Sequence, residues 1–489
     1  MHTGSIVFLM ISAFAFVPLF LAEIARRDSI STSEDFFLQR RTVKLFPMYA
    51  TVYATWMSAF AYMGAITYFY EQGPVYMTTI GWDALFAVLF YAVGRRIWFY
   101  GKHYHYATPT DFFDDIYQSR LLSSIVTGVN LAFTMMYIEL QLVGGLLLIE
   151  SATDGLIPWK VSGGIFFVVL VTYLWAGGLR AVAMTDVFYG TMIIATIFIA
   201  GFFLMSVAGG PGQVFSYLIQ YDPDKVALVG PDRNERVLLW LSLFIVVPVG
   251  AFMGPQMWIR NYASSGERNF EALPFWLFLS SIVFIGTLLA GNAGLMLSPE
   301  HNRSMMLLEN MLLTHASPIL TTVIFLGITA AIFSTANSLI HALSAVCAVD
   351  IHKRYFRNNI SDRGTLVVAK RCVVIISVIS YVLLALASRN IMNVGFYAMG
   401  GTAQLIVPVL GALFWPKSSA RAATAGIVTG ITIFLAASVT FHVDVSLCAM
   451  AGLLCNGVVF VMVSAYFTEN PLTSQKIKAY RESFRNRKI

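Results

Sequence analysis

Polar residues recur at helical spacing inside the apolar stretch 329–351. On a 3.6-residue period, one face carries Ser334, Asn337, Ser338, His341 and Ser344, with Thr335 beside it. These side chains offer neutral oxygen atoms, which suit a small hard cation when carbonyl groups of a broken neighbouring helix complete the site. The alternative is packing, because Ser and Thr hydroxyls also bond to carbonyls one turn earlier and small residues let membrane helices approach closely.

The composition places this stretch in a membrane. Hydrophobic residues make up 57% of the 489 residues and charged residues 12%, and the mean hydropathy is +0.71. A chain of this kind lies mostly in lipid. No hydrophilic block is long enough for a separate catalytic or DNA-binding domain, and the net charge of +6 therefore does not indicate a nucleic-acid partner. The cysteines, Cys347, Cys372, Cys448 and Cys455, lie in apolar segments and read as small core residues.

Thirteen apolar segments are long enough to span a bilayer. They are 5–25, 46–70, 77–98, 121–150, 160–177, 186–208, 238–259, 273–297, 318–349, 366–387, 392–415, 421–441 and 445–467. No Lys or Arg precedes the first segment, whereas Arg26 and Arg27 follow it, so we expect an external N-terminus. With that orientation 26 of the 32 basic residues face the cytoplasm, and the C-terminus is cytoplasmic.

Helix-breaking residues are concentrated in two of these segments. The second carries Gly64 after a run of small and polar residues, and the seventh carries Pro248, Gly250, Gly254 and Pro255. Broken helices are tolerated in lipid only where they line a cavity or are covered by protein. Segments 2–6 and 7–11 each begin with a broken helix, in opposite orientation. This arrangement predicts an inverted-repeat transporter with a site at the midplane; simple helix kinks are the alternative.

The third helix of each repeat would flank that site. In the second repeat it is the stretch 329–351, and in the first it is segment 4, which carries Tyr137, Glu139 and Gln141 near its middle. A carboxylate at mid-bilayer is costly and is functional by default. Glu139 and Tyr137 do not share a helical face, so both cannot point straight at one ligand. A neutral, hydrogen-bonded acid that holds the bundle together is the alternative for Glu139.

Two local patterns resemble the sodium/solute symporter family, which includes bacterial proline, pantothenate and sialic acid permeases and sodium/glucose cotransporters. They are GGLRAVAMTDVFYG at 177–190 and AAIFSTANSLIHALSAVCAVDIHKRY at 330–355. GAFMGPQMWIR at 250–260 and VPVLGALFWP at 407–416 are similar to the family's sixth and tenth core helices. The resemblance implies an all-α polytopic membrane protein of LeuT-type five-plus-five inverted-repeat architecture, with about thirteen transmembrane helices.

The resemblance also implies cation ligands. Sodium would be held by backbone oxygens of Ala54, Met57 and Ala331 and by the hydroxyls of Ser334 and Thr335. A second sodium site or a cytoplasmic exit path would use Asp186, Asn337 and Ser338, although Asn337 stands where the family has a hydroxyl residue. Trp56 stands where proline permeases have an acid, so the solute does not transfer from them.

The sequence therefore predicts a sodium-coupled symporter that moves a small organic solute, an amino acid or a carboxylate, by alternating access. From helix position, the solute would contact Trp56, Ser58, Phe60, Tyr137, Glu139, Ala251, Gln256 and Gln404. The predicted order is a first helix and loop (1–45), a first repeat (46–208), an external loop (209–237), a second repeat (238–415), two further helices (416–467) and a basic cytoplasmic tail (468–489). A solute sensor without net transport and a proton-coupled symporter are the alternatives.

Other chemistry has little support in the sequence. His103 and His105 could bind a metal with Asp111, Asp114 or Asp115, but their spacing is not that of helical metal ligands. No nucleophile-elbow, phosphate-loop or dinucleotide-binding pattern is present, so we do not expect an enzyme. Sodium, a small solute and membrane lipid at the basic tail are the expected partners, without nucleic acid or an obligate protein. The expected location is the cell (inner) membrane.

Overall fold

The structure is a computed structural model that describes residues 10, 12–14, 16–27, 31–153, 155–157, 159–227, 233–299, 306–356, 359–384, 390–441, 443–466 and 471–486. Regular structure in these residues is helical, apart from an isolated bridge between Val43 and Ser264. The all-α fold that the apolar segments predict is confirmed.

The first half of the chain contains two broken or kinked spans and a long straight one. Its helices are α1 (Phe16–Arg27), α2 (Ser33–Leu38), α3 (Leu45–Trp56), α4 (Ala65–Gln72), α5 (Thr78–Leu89), α6 (Arg95–His103), α7 (Pro109–Tyr117), α8 (Arg120–Ala152) and α9 (Trp159–Val207). A π-helical turn at Phe60–Gly64 leads into α4, and another at Phe90–Gly94 joins α5 to α6.

The second half repeats the pattern of a broken helix followed by long spans. Its helices are α10 (Pro211–Tyr221), α11 (Arg233–Met253), α12 (Pro255–Ala263), α13 (Arg268–Ser280), α14 (Phe284–Leu297), α15 (Leu307–His315), α16 (Pro318–Val346), α17 (Asp362–Leu383), α18 (Ile391–Ala403), α19 (Ile406–Phe414), α20 (Ala420–Thr440), α21 (Val445–Tyr466) and α22 (Pro471–Arg485). Helix α10 lies in the predicted external loop, and α22 lies in the predicted tail.

Ten helices within the described residues are long and apolar enough to cross a membrane. The number is lower than thirteen because the end of the second predicted span and the whole third span form one helical run, Phe60–His103, and because the predicted spans 5–25 and 160–177 are not among the ten. The total of thirteen spans therefore stays a prediction.

Both predicted helix breaks are present. Helix α3 ends at Trp56, and Met57 has a non-helical backbone (φ −79°, ψ 78°). Helix α11 ends at Met253, Gly254 is extended (φ −62°, ψ 144°), and Pro255 opens α12 at a position that proline favours. The first break lies at Met57, several residues before Gly64, which lies instead inside the π-helical turn. Gly64 allows close packing against Met392, because a Cβ at this position would lie 2.6 Å from Met392 Sδ.

Glycines also determine how closely the spans pack. A Cβ at Gly250 would lie 2.0 Å from the carbonyl oxygen of Met399, so this glycine allows α11 to touch the backbone of α18. Gly178 has φ +55° and divides α9 in two, and a Cβ there would lie 2.6 Å from Phe36 O. Helical structure resumes directly after Gly178, so the predicted start of that span at residue 186 is too late.

Candidate functional site

The hydroxyls of Ser334 and Thr335 meet the broken end of α3. Ser334 Oγ donates to the carbonyl oxygen of Ala54 at 2.7 Å and to that of Ala331 at 3.1 Å. Thr335 Oγ1 donates to the carbonyl oxygen of Thr55 at 3.0 Å. All of these residues are buried. Ser334 Oγ thus lies within hydrogen-bond distance of two other predicted sodium ligands, the carbonyl oxygens of Ala54 and Ala331.

Carbonyl oxygens are available here because the helical ladder of α3 stops. A continued ladder would pair Ala54 O with the Ser58 amide and Thr55 O with the Ala59 amide. Instead, Ser58 N donates to Trp56 O at 3.0 Å, and Ala59 N donates to the side-chain oxygen of Gln141 at 3.1 Å. Gln141 on α8 therefore stabilises the break from outside the helix. The remaining predicted ligand, Met57, is the residue at which the helix ends.

A buried arginine lies next to this site and joins four helices. Arg260 on α12 is 2% exposed, and its Nη2 lies 2.8 Å from Thr51 Oγ1, 2.6 Å from Thr55 Oγ1 and 2.6 Å from Ser338 Oγ. The same nitrogen is 3.5 Å from Asp186 Oδ2, which accepts a 2.5 Å hydrogen bond from Thr51. Asp186 and Ser338, both predicted to line a second sodium site, therefore contact a guanidinium.

A small cavity lies beside the break between α11 and α12. It has a volume of about 10 Å³, which is room for about one water molecule and far below the roughly 300–1,000 Å³ of typical small-molecule sites. Its lining residues are Phe133, Thr134, Tyr137, Gly250, Ala251, Gly254, Gln256, Ala398, Met399 and Thr402. Gln256 Oε1 is buried and has no hydrogen-bond partner in the structure. An unpaired acceptor on the wall suits a ligand that donates a hydrogen bond.

Three of the predicted solute contacts, Tyr137, Ala251 and Gln256, line this cavity. Ser58 is linked to it, since Tyr137 OH donates to Ser58 Oγ at 3.2 Å. The sequence prediction therefore found residues on three of the elements around the cavity.

The predicted aromatic contacts lie in an adjacent ring cluster instead. The ring of Trp56 stacks on Phe86 with centroids 4.8 Å apart, and the ring of Phe60 packs 5.5 Å from Phe396. The cavity's lining includes neither Trp56 nor Phe60.

Two further predicted solute contacts, Glu139 and Gln404, do not line this cavity. Glu139 follows Met135 by one helical turn on α8, and Met135 faces α17, where its sulfur accepts a hydrogen bond from Ser380. Glu139 therefore lies on the α17 side of α8, and the cavity is on the other side. Gln404 donates to the Ala449 carbonyl of α21 at 3.4 Å and accepts from Asn456 at 3.2 Å. Gln404 thus belongs to the packing against α21.

The polar stripe on α16 has two different roles. The stripe residues nearest the C-terminal end of α16 make packing contacts. His341 Nε2 lies 2.9 Å from Phe36 O, and Ser344 donates to the carbonyl of His341 in its own helix. Asn337 Nδ2 donates to Phe333 O one turn earlier. Packing, the alternative that the sequence left open, therefore accounts for the contacts of His341 and Ser344 and for that of the Asn337 amide nitrogen.

Sequence reasoning missed two buried charged residues. Arg260 lies just beyond the predicted seventh segment, 238–259, and Thr51 and Thr55, which recur at i, i+4, are the signal for the polar face that it meets. Asp83 on α5 is 1% exposed and its Oδ1 accepts a 2.6 Å hydrogen bond from Trp56 Nε1. No motif includes Asp83. Its one signal is a carboxylate in an apolar span.

Comparison with known proteins identifies the family. Residues 36–430 match the sodium:solute symporter family. The chain belongs to this family. It is therefore a multi-pass membrane transporter that couples small-solute symport to sodium, and it is not an enzyme.

Individual relatives are distant in sequence. The chain is 28% identical over 331 residues to the high-affinity proline transporter PutP of Bacillus subtilis. This alignment covers 64% of the chain and 66% of that protein. It is 23% identical over 423 residues to the sodium/pantothenate symporter of Escherichia coli, and this alignment covers 84% of the chain and 85% of that protein. A Na⁺-coupled sialic acid symporter in a substrate-bound outward-open state superposes with a TM-score of 0.78 at 17% identity, covering 96% of this chain and 98% of that one. The fold is therefore the LeuT-type transporter fold that the sequence predicts.

Proposed function

We propose that the protein binds sodium at the broken end of α3 and uses it to drive a small organic solute across the membrane. The observation that carries this proposal is the meeting of two adjacent hydroxyls, on Ser334 and Thr335, with carbonyl oxygens that the α3 ladder leaves free. Neutral oxygens of this kind suit a small monovalent cation, and half-helix C-terminal ends supply them in transporters of this architecture.

In this proposal sodium is held by the carbonyls of Ala54, Met57 and Ala331 and the hydroxyls of Ser334 and Thr335. Two contacts support the set, because Ser334 Oγ already lies close to the carbonyl oxygens of both Ala54 and Ala331. The ligands come from α3 and α16, so a bound ion would hold the unwound end of one helix against the other.

The solute is proposed to occupy the cavity beside the α11/α12 break, which would have to widen to admit it. Among the described residues that line it there is no charged side chain, while the hydroxyls of Tyr137, Thr134 and Thr402 and the amide of Gln256 are polar. Gly254 and Gln256 place the N-terminus of α12 on the cavity wall, and a helix N-terminus favours negative charge. Proline, pantothenate and sialic acid, the solutes named for the relatives, all carry a carboxylate. We therefore propose a small amino acid or carboxylate.

Coupling requires that sodium and solute favour the same conformations. Sodium would hold α3 against α16 and so complete the solute cavity, which Tyr137 links to Ser58 just after the break. Solute would then favour closure on the outer side, and sodium would leave on the inner side past Asp186. The present cavity is small enough to indicate a compact, closed arrangement around the site.

The proposed location is the cell (inner) membrane, with the N-terminus outside and the C-terminus in the cytoplasm. The excess of Lys and Arg in alternate loops supports this orientation. The basic residues of α22 and the end of the chain would then face anionic lipid headgroups.

Uptake into proteoliposomes tests the proposal. Purified protein would be reconstituted and given an inward gradient of sodium, potassium or protons, with a panel of amino acids, carboxylates and sugars screened first by thermal shift. We expect at least one amino acid or carboxylate to accumulate with the sodium gradient alone. Solute that accumulates equally without sodium, or only with a proton gradient, would overturn the proposed coupling. A solute that binds but never crosses would favour a sensor.

A further inference from the structure

The contacts of Arg260 place a positive charge among oxygen atoms of three other helices. Its guanidinium lies among hydroxyl oxygens of Thr51, Thr55 and Ser338 and beside the Asp186 carboxylate. Three neutral oxygens and one carboxylate would suit a small monovalent cation, and here the positive charge comes from the chain itself. These oxygens belong to α3, α16 and α9.

We propose that Arg260 is a tethered cation that replaces a second sodium ion, so that the protein moves one sodium ion with each solute. The inference rests on the proposed function, because it specifies how many ions accompany the solute. It uses Asp186 and Ser338 as partners of the arginine and not as ligands of sodium.

Charge and burial support the replacement. Arg260 is 2% exposed and Asp186 is fully buried, so one positive and one negative side chain offset each other in a site shielded from water. A sodium ion placed among the same oxygens would add a second positive charge within a few ångströms of the guanidinium. Such repulsion is weakly screened in a buried site.

The arginine is firmly held in this position. Its Nε lies 3.1 Å from both the carbonyl and the hydroxyl oxygen of Thr51, and its Nη1 lies 2.9 Å from the Gln256 carbonyl. All three guanidinium nitrogens therefore have acceptors, which buried arginine requires. Asn337, the remaining residue predicted for a second sodium site, donates to Phe333 O in its own helix and takes no part in the cluster.

The same contacts connect sodium release to movement of α12. Ser338 lies one turn after Ser334 on α16, and Thr55 follows Ala54, so the guanidinium lies directly beside the proposed sodium ligands. Separation of α3 from α16 would break at least one of the Arg260 bonds to Thr55 and Ser338, because a single nitrogen of the guanidinium contacts both. Arg260 thus stays with the protein where a second ion would have to be released.

The ratio of sodium to solute tests this inference. In proteoliposomes, the membrane potential at which net solute flux reverses, for set sodium and solute gradients, gives the number of charges moved per solute. With a zwitterionic solute we expect one sodium per solute and a Hill coefficient for sodium near 1. A ratio of two in the wild-type protein would overturn the proposal. Absence of any sodium dependence would instead refute the proposed function.

Substitutions at Arg260 give the decisive comparison. Arg260→Gln removes the charge and frees the oxygens of the cluster, so the Hill coefficient and the sodium ratio should rise toward 2, whereas Arg260→Lys should keep both near 1. Arg95→Gln is the control, because it removes another partly buried arginine, which pairs with Glu267. An unchanged ratio in a transporting Arg260→Gln protein would contradict the inference.

A second variant avoids dependence on the folding of the Arg260 substitutions. If Ser338 serves the arginine, Ser338→Ala should leave the sodium concentration for half-maximal uptake within about twofold of wild type. A tenfold or larger increase, or a fall in the Hill coefficient from 2 to 1, would identify Ser338 as a sodium ligand and overturn the proposal.

Discussion

Removal of either hydroxyl at the α3 break should weaken sodium activation. Ser334→Ala takes away the donor to the Ala54 and Ala331 carbonyls, and Thr335→Ala takes away the donor to Thr55. The loss of a partner for a buried polar group costs about 1–3 kcal/mol. At about 1.4 kcal/mol per tenfold, the sodium affinity should fall roughly 5-fold to 150-fold.

The lower part of that range is the better expectation. Each hydroxyl also donates to a carbonyl oxygen, so the substitution destabilises the sodium-free state as well as the sodium-bound state. The effect on affinity is the difference between the two, and we expect about tenfold. The assay is initial solute uptake against sodium concentration in proteoliposomes, with the protein amount determined for each variant.

Two control variants separate ligation from packing. Thr335→Ser keeps the oxygen and should change the half-maximal sodium concentration by no more than about threefold. Ser344→Ala removes a hydroxyl that bonds within its own helix, to His341 O, and should leave sodium activation nearly unchanged. If transport is retained and all four variants show the wild-type sodium response, the ligands lie elsewhere or the coupling ion is the proton.

Four other predictions test separate parts of the account. A C-terminal reporter should be active only on the cytoplasmic side; external activity would contradict the topology. Gln256→Ala should raise the half-maximal solute concentration at least fivefold; an unchanged value would remove Gln256 from the solute site. Glu139→Gln should leave solute affinity within twofold; a tenfold change would place Glu139 in that site. Burial raises the pKa of Glu309 to about 8, so folding stability should fall as pH rises from about 4.5 to 8, because only the unfolded state ionises freely. Glu309→Gln should make this slope shallower by about 1.4 kcal/mol per pH unit in thermal unfolding, since other groups also titrate in this range; an unchanged slope would refute the assignment.

Sequence patterns predicted the parts of the site that local chemistry determines. Proline and glycine in the segment around Gly254 predicted the break in α11/α12 because proline cannot continue the ladder. Adjacent hydroxyls at Ser334 and Thr335 predicted a polar contact because a buried hydroxyl needs a partner. The family resemblance places their partners on α3. The carbonyl oxygens that accept from Ser334 and Thr335, those of Ala54 and Thr55, belong to that helix.

The contacts that the sequence did not predict join residues that are far apart in the chain. Arg260 reaches Thr51 across 209 residues, and Ala59 depends on Gln141, 82 residues later. Helical periodicity gives the face of a residue relative to its own helix but not the neighbour it meets. For this reason the sequence shows that Glu139 and Tyr137 lie on different faces of α8, but it does not show which of the two faces meets the cavity.

The most direct test of the central claim is solute accumulation driven by sodium alone. Proteoliposomes with an inward sodium gradient and no pH gradient should concentrate a carboxylate or amino-acid solute above its external concentration, and dissipation of the sodium gradient should release it. Accumulation that persists after the sodium gradient is abolished, or that needs a proton gradient, would contradict the account.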